Sequence, residues 1–288
     1  MFRKAPLKKP DWLKVKIPSG NAFADVHETL KRLNLATVCK EARCPNMHEC
    51  WNHHAATIMI LGRICTRACR FCSVTTGDPE GIIDVNEPVH VAEAVKILGL
   101  KYVVITSVDR DDIPDLGSSH YARTIDEIHQ QNSGVRVEAL IPDFNAERKF
   151  LSSVVEVRPY ILAHNVETVP RLSPYIRDRR CSYRRSLTAL RMIKELDNRM
   201  PIKSGIMIGL GEEYDEIIET LKDLKEYGVD IVTIGQYLQP TRKHHVVQRY
   251  YTPEEFTDLG NIGKELGIKY VVSGPLVRSS YHAAQTVL

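Results

Sequence analysis

The stretch Cys65-Thr66-Arg67-Ala68-Cys69-Arg70-Phe71-Cys72 places three thiols within eight residues, directly after the apolar run 55–61. Thiolates are the usual ligands of four-iron clusters, and soft sulfur donors favour iron–sulfur clusters, zinc or Cu(I) over harder metals. The backbones of Cys69 and Cys72 can lie at most about 10 Å apart, which suits a loop wrapped around one small cluster. Three thiols leave a fourth iron without a protein ligand, and an open position can bind a substrate or cofactor. Cys65, Cys69 and Cys72 are therefore the predicted catalytic metal ligands.

A second trio lies just upstream and consists of Cys39, Cys44 and Cys50, so that six of the seven cysteines fall between positions 39 and 72. We predict that each trio holds one iron–sulfur cluster. The residues around the second trio are rich in Pro, Asn and His, which predicts a loop around the ligand. The seventh thiol, Cys181, stands alone in an arginine-rich segment and is interpreted as a bystander.

These cysteines could instead form disulfides or bind zinc. Disulfides fit poorly, because the count is odd, no secretory signal precedes them, and clustered cysteines in a cytosolic enzyme more often bind metal. Zinc is a stronger alternative for the second trio, since Cys44, His48 and Cys50 could form a small zinc site with His53 or His54 nearby. No histidine lies within the motif that begins at Cys65, which disfavours zinc there.

The composition is that of an ordinary globular protein of 288 residues, with 43% hydrophobic and 26% charged residues. The net charge of +3 is too small to indicate a nucleic-acid partner by itself. No apolar run reaches the length of a membrane span, and the N-terminus is basic without an apolar core. We expect a cytoplasmic protein with reduced thiols, and a solvated basic arm over residues 1–20.

Apolar runs alternate with helical patterns from residue 55 onward. Near-continuous apolar runs indicate strands buried on both faces of a parallel sheet. The predicted strands are Thr57–Leu61, Tyr102–Thr106, Val135–Leu140, Tyr160–Ala163, Ile202–Ile208 and Asp230–Ile234. The predicted helices cover about 25–35, 87–98, 118–131, 146–153, 183–196, 213–227 and 253–266. Six such units predict an α/β fold, a partial (β/α)6 barrel similar to the TIM barrel, with function at the carboxyl ends of its strands.

Polar and glycine residues follow several of these strands. Ser107 and Asp109 follow the second strand, Asn165 and Glu167 the fourth, and 209–212 the fifth. A polar residue at such a junction is more often a helix cap than a ligand, and the glycines could serve a turn with positive φ. Position alone leaves both readings open.

Seven arginines fall between residues 171 and 191. A solvated helix face explains such a cluster, and a nucleic-acid surface would need more interleaved aromatic residues. Docking of an acidic carrier protein is a third hypothesis, which Arg184→Glu would test. The seven are Arg171, Arg177, Arg179, Arg180, Arg184, Arg185 and Arg191.

The C-x3-C-x2-C spacing after an apolar strand resembles the signature of the radical SAM superfamily. The whole set resembles the lipoyl synthase family more closely: C-x4-C-x5-C from Cys39, then 55–62, then the trio from Cys65, and finally Arg278-Ser279-Ser280-Tyr281-His282-Ala283. The similarity runs from about residue 10 to the C-terminus. It implies an N-terminal extension over 1–54, a radical SAM barrel over 55–273 and a closing segment over 274–288, with the two extensions holding the second cluster.

This resemblance also implies the chemistry. Two [4Fe-4S] clusters per chain and S-adenosyl-L-methionine (SAM) would insert two sulfur atoms at carbons six and eight of an octanoyl chain carried on a lysine. The second cluster would be consumed as the sulfur source, with Ser280 as its fourth ligand. Phe71, Ser107, Asn165 and Glu167 are the expected SAM contacts. The Gly-Gly-Glu usual after the second strand is replaced here by Ser107-Val108-Asp109, which leaves open the group that holds the methionine amine.

The implied partners are octanoylated carrier domains, such as the glycine-cleavage H protein or a 2-oxoacid dehydrogenase E2 subunit, and an electron donor. Neither nucleic acid nor membrane is expected. Another sulfur-inserting radical SAM enzyme is one alternative, although we see no room for the added RNA-binding domain of a methylthiotransferase. A zinc-stabilised basic binding module is an alternative of a different class.

Overall fold

A computed structural model describes residues 7–14, 22–52 and 56–280. Its eight-stranded sheet follows the chain almost in order, β1-β2-β5-β6-β7-β8-β9-β10, and a two-stranded sheet pairs β3 with β4. The strands are β1 (Ala36–Thr37), β2 (Thr57–Ile60), β3 (Ile64–Cys65), β4 (Thr75–Thr76), β5 (Tyr102–Ser107), β6 (Arg136–Leu140), β7 (Ile161–Ala163), β8 (Ile202–Ile208), β9 (Ile231–Gln236) and β10 (Tyr270–Gly274).

Helices connect the parallel strands of the large sheet. The helices are α1 (Ala22–Arg32), α2 (Val38–Glu41), α3 (Met47–Asn52), α4 (Glu87–Ile97), α5 (Ser118–Gln131), α6 (Arg148–Glu156), α7 (Ser173–Ile176), α8 (Tyr183–Leu196), α9 (Tyr214–Glu226) and α10 (Pro253–Glu265). Short 3-10 helices cover Asp11–Leu13 and Phe144–Ala146. Because each parallel strand pairs with the next one along the chain, the sheet follows the barrel order rather than the doubly wound one.

All six predicted strands and their helices are confirmed within a few residues. The α10 helix begins as its sequence indicates: Pro253 occupies the first turn, and Thr252 and Glu255 form a reciprocal capping box. The sheet also contains a seventh parallel strand, β10, and the short antiparallel strand β1, which were not predicted. The partial (β/α)6 barrel therefore gains one strand at each edge.

The core lies between the sheet and the surrounding helices. Strands β2 and β9 are buried at every position, as expected when both faces of a strand are covered. In the described part of the chain, no helix combines the length and apolar character needed to cross a membrane. The basic segment predicted over 1–20 lies partly outside the described residues, and 7–9 are exposed.

Candidate active site

The loop that carries Cys65, Cys69 and Cys72 follows strand β2 at its carboxyl end. A reversal at Leu61 and Gly62, both with positive φ, turns the chain into the short β3 strand. Within the loop, the Cys72 amide donates to the Cys69 carbonyl at 3.1 Å. All three thiols line a cavity of about 520 Å³. The predicted position of this trio at the first βα junction is confirmed.

Neighbouring segments hold this loop on both sides. The Arg70 amide donates to the Ile176 carbonyl at 2.8 Å, and the His245 amide donates to the Arg70 carbonyl at 2.9 Å. The His244 ring bonds the Cys72 carbonyl at 2.8 Å. Backbone groups of the loop are thus satisfied by segments that follow β7 and β9, which fixes the path of the chain between the thiols.

The second trio lies on two short helices rather than in the predicted loop. Cys39 belongs to α2, Cys44 follows it, and Cys50 belongs to α3. Helical bonds set their spacing: the Cys44 amide donates to the Cys39 carbonyl at 3.0 Å, and the Cys50 amide donates to the Asn46 carbonyl at 2.9 Å. Cys39 and Cys44 line the same cavity as the first trio, whereas Cys50 is half-buried beside it.

The C-terminal segment closes this side of the cavity. The Asn46 side chain donates to the Leu276 carbonyl at 2.7 Å, which ties the second trio to the segment after β10. Arg278 is half-buried near Cys44, and burial lowers the pKa of its guanidinium while the Cys44 charge opposes that shift. Ser279 and Ser280 line the cavity. Tyr281, His282 and Ala283 lie outside the described residues.

A glycine on β9 makes this closure possible. A Cβ added at Gly235 would lie 2.2 Å from the Val277 carbonyl oxygen and 3.1 Å from its carbon. No side chain fits there, so the segment that carries Ser280 can cross the end of β9 only over a glycine.

Burial raises the pKa of most of these thiols. The pKa is raised to about 12 for Cys50 and Cys65 and to about 11 for Cys72. For Cys69, a hydrogen bond with Cys181 and burial raise the pKa well above its usual range. The protein alone therefore does not stabilise these thiolates, and binding of iron would have to displace their protons.

The residues predicted to contact SAM meet at the carboxyl ends of β2, β5 and β7. Phe71, Ser107, Asn165 and Glu167 all line the cavity. The Ser107 hydroxyl and the Asn165 Oδ1 atom are buried without a hydrogen-bond partner in the described structure, so they are available to a polar ligand. Glu167 has a φ of 70°, and burial raises the pKa of its carboxyl. Strained backbone of this kind concentrates at functional sites.

The donor set fits iron–sulfur clusters better than the two alternatives. All seven cysteines are free thiols. In the ranges 22–52 and 56–280, no three His, Cys, Asp or Glu side chains are placed to hold a single metal ion. His48 stacks on Phe23 with ring centroids 4.7 Å apart, while His53 and His54 lie outside the described residues. Two thiol trios around one cavity with unpaired polar atoms fit two clusters and a bound cofactor.

Sequence reasoning missed the charged network behind the first trio. Arg67 is 5% exposed and forms ion pairs with Asp109, Asp111 and Asp143, which follow β5 and β6. The only signal was the arginine inside the cysteine motif and the aspartates at strand ends. Cys181 also lies in the cavity, with Arg67 Nη1 3.6 Å from its sulfur, rather than apart as a bystander.

Most of the arginine cluster serves internal contacts. Arg177 is buried and donates to Ser186 Oγ at 2.9 Å, and Arg185 donates to Asp143 at 3.0 Å. Arg171, Arg180 and Arg191 form ion pairs with Glu216, Asp178 and Glu226, respectively. The side chains of Arg179 and Arg184 are exposed and make no ion pair with other described residues. A uniformly solvated arginine face is therefore the wrong description.

Comparison with known proteins identifies relatives of this site. The model of the Radical SAM superfamily matches residues 59–224, and the model of the N-terminal domain of lipoyl synthase of the Radical SAM family matches residues 2–44. The lipoyl synthase of Rubrobacter xylanophilus is 52% identical over 96% of this chain and 85% of its own length. That of Pyrobaculum arsenaticum is 54% identical over 95% of this chain and 93% of its own length.

Solved structures resemble the barrel at low sequence identity. Methylornithine synthase matches with a TM-score of 0.59 and 14% identity, over 74% of this chain and 62% of its own. The FeFe-hydrogenase maturase HydG from Carboxydothermus hydrogenoformans matches with a TM-score of 0.59 and 16% identity, over 74% of this chain and 52% of its own. These likenesses bear on the fold alone.

Proposed function

Since this chain belongs to the lipoyl synthase family of the Radical SAM superfamily, we propose that the cavity between its two thiol trios is where the family's reaction takes place. The reaction is a sulfur transfer: two sulfur atoms are inserted into the octanoyl chain of an octanoylated carrier protein, giving the lipoylated protein. The cofactors are two [4Fe-4S] clusters and SAM. When bound, they supply a 5′-deoxyadenosyl radical that removes hydrogen at carbons six and eight, and the sulfur atoms that replace it.

The observation that carries this proposal is that both trios adjoin one cavity. Cys65, Cys69 and Cys72 line this cavity, and so do Cys39 and Cys44. A chain carbon that loses hydrogen next to the first trio is therefore close to the sulfur source on the second. No side-chain base can remove a proton from an unactivated alkyl carbon, so the protein's part is to bind, orient and exclude water.

The roles of individual residues follow from their positions. Cys65, Cys69 and Cys72 hold one cluster and leave one iron open for SAM. Ser107 and Asn165 offer unpaired polar atoms to SAM, Glu167 presents a half-buried carboxyl, and Phe71 provides an apolar wall. These side chains would hold and orient SAM when it is bound.

The second cluster is assigned to Cys39, Cys44, Cys50 and Ser280. The hydrogen bond from Asn46 to Leu276 and the position of Arg278 near Cys44 support Ser280 as the fourth ligand. A hard alkoxide matches iron less well than a thiolate does, so one weak ligand suits a cluster that is dismantled during turnover.

The direct test is an anaerobic assay with dithionite, SAM and an octanoyl-lysine peptide, read by mass spectrometry. The proposal predicts a product that carries two added sulfur atoms. Another sulfur-inserting enzyme would leave the octanoyl peptide unchanged, and that result would overturn the proposal.

The carrier partners are assigned more finely as the glycine-cleavage H protein and 2-oxoacid dehydrogenase E2 subunits, with a separate electron donor. Exposed Arg179 and Arg184 are proposed to attract an acidic carrier surface. Arg184→Glu should then raise the KM for an octanoylated carrier protein at low salt, whereas Arg123→Glu, an exposed change on α5, should not. An unchanged KM for Arg184→Glu at low salt would remove this assignment.

Because the thiols must stay reduced, we place the protein in a reducing, cytoplasmic compartment.

A further inference from the structure

Arg67 occupies the middle of the first thiol motif, between Cys65 and Cys69, yet its side chain is only 3% exposed. Its guanidinium donates to Asp111 through Nε at 3.1 Å and through Nη2 at 2.9 Å. The Nη1 atom lies 3.2 Å from Asp109 and 3.3 Å from Asp143. Since a buried charge is tolerated only when it is paired and hydrogen-bonded, these aspartates fix where the arginine, and therefore the loop, can lie.

The aspartates of this network also have partners other than Arg67. Asp143 is fully buried, and its other oxygen accepts from Arg185 of helix α8 at 3.0 Å. Asp111 also accepts from the Thr66 hydroxyl at 2.6 Å and forms an ion pair with Arg180 at 3.3 Å. A guanidinium presents a rigid fork of donors, so this arrangement restrains both position and orientation.

Two backbone amides beside this network point at thiol sulfurs of the motif. The Asp109 amide donates to Cys65 Sγ at 3.4 Å, and the Asp178 amide donates to Cys69 Sγ at 3.3 Å. The side chains of both aspartates are tied to the same loop. Asp109 pairs with Arg67, while Asp178 accepts from the Ala68 amide at 2.8 Å and from Arg180. Each carboxylate therefore holds its own amide against a sulfur.

Hydrogen bonds to cysteine sulfurs are among the features that set the reduction potential of an iron–sulfur cluster. A donor at the sulfur stabilises the more negative, reduced form, which raises the potential. We propose that Arg67 is a positioning residue that, through Asp109, keeps an amide donor on Cys65 and thereby sets the electron affinity of the cluster on this trio. Arg180 acts in the same way through Asp178 on Cys69. This inference rests on the proposed function, because it takes Cys65, Cys69 and Cys72 as cluster ligands.

The test is a redox titration followed by electron paramagnetic resonance, in a chain that holds one cluster. The background is Cys39→Ala/Cys44→Ala/Cys50→Ala, which leaves only the first trio. Into it we place Arg67→Lys, which keeps the charge but removes the fork. The matched control is Arg110→Lys. Arg110 is also buried and also pairs with an aspartate, Asp112 at 2.7 Å, but its other contacts are the carbonyls of Leu61 and Ile82.

We expect the Arg67→Lys chain to retain about four irons, while its ratio of reduced to oxidised cluster at a fixed applied potential falls about tenfold, a shift of about 60 mV to lower potential for a one-electron couple. Arg110→Lys should leave the potential of the background unchanged. Arg180→Gln, at a side chain that is 41% exposed, should shift the potential in the same direction by a smaller amount and without loss of iron.

An unchanged potential in Arg67→Lys, or an equal shift in Arg110→Lys, would overturn the inference. If Arg67→Lys loses its iron, the potential of the Arg180→Gln chain tests the inference instead. An unchanged potential in Arg180→Gln would then overturn the inference. If the background itself holds no reducible cluster, the proposed function fails rather than the role of Arg67.

Discussion

Gly235→Ala should affect the second cluster and leave the first intact. The reason is that the lack of a side chain at Gly235 lets the C-terminal segment cross strand β9. The added methyl would lie 2.2 Å from the Val277 oxygen, whereas ordinary contact begins at 3.4 Å. Both partners are backbone of ordered segments, so the chain that carries Ser280 must move by roughly 1 Å. Metal–ligand distances vary by only about 0.2 Å around their usual values, so a shift of roughly 1 Å removes Ser280 as a ligand.

The expected loss is specific to the second cluster. Iron should fall only in part, to between about four and about eight per chain, because the second cluster keeps its three thiols and the first is held independently. Sulfur insertion should stop, while dithionite-driven cleavage of SAM continues at the first trio. Overpacking of this kind costs about 1–3 kcal/mol, so the barrel should remain folded.

Iron analysis, a thermal melt and the yield of 5′-deoxyadenosine measure the three parts of this prediction. Gly260→Ala is the matched control, because its added Cβ would meet only the Ser273 side chain at 3.3 Å. A Gly235→Ala chain that keeps about eight irons and inserts both sulfur atoms would refute the assignment of the C-terminal segment to the second cluster.

The other predictions concern stability. Burial lowers the pKa of His164 from 6.5 to about 4, so as the pH falls the unfolded state takes up a proton on this side chain before the folded state does. Between pH 6.5 and pH 4, the free energy of unfolding of the wild type should therefore fall by about 3 kcal/mol more than that of His164→Asn, as measured in urea titrations. An equal loss in both chains would contradict this. Lys203 and Glu138 form an ion pair of 2.8 Å with both side chains at most 2% exposed. Lys203→Met should destabilise the fold by about 3–5 kcal/mol, and adding Glu138→Leu should recover most of the loss; no recovery in the double variant would contradict the pairing.

The barrel could be predicted because its strands are buried on both faces. Thr57–Leu61 and Tyr102–Thr106 are near-continuous apolar runs, and the helices between strands carry clear periodicity or caps, as at Thr252. Strand β10 escaped prediction because it is half-exposed at the edge of the sheet. The helices α2 and α3 escaped because each is shorter than two turns and lies in a segment rich in turn-forming residues.

The thiols of the site could be predicted from spacing, whereas the groups that hold them could not. Arg67 reaches aspartates that follow two different strands, and Arg278 reaches Cys44 from the far end of the chain. Such pairs depend on how the barrel brings strand ends together, which local sequence does not specify. Cys181 lies beside Cys69 for the same reason.

The measurement that tests the central claim most directly is the iron content of two single variants after anaerobic purification. If each trio holds its own cluster, Cys69→Ala should keep about four of about eight irons and lose reductive cleavage of SAM. Cys44→Ala should keep about four irons and retain that cleavage without sulfur insertion. Loss of all iron from either variant, or of none from both, would contradict two independent clusters.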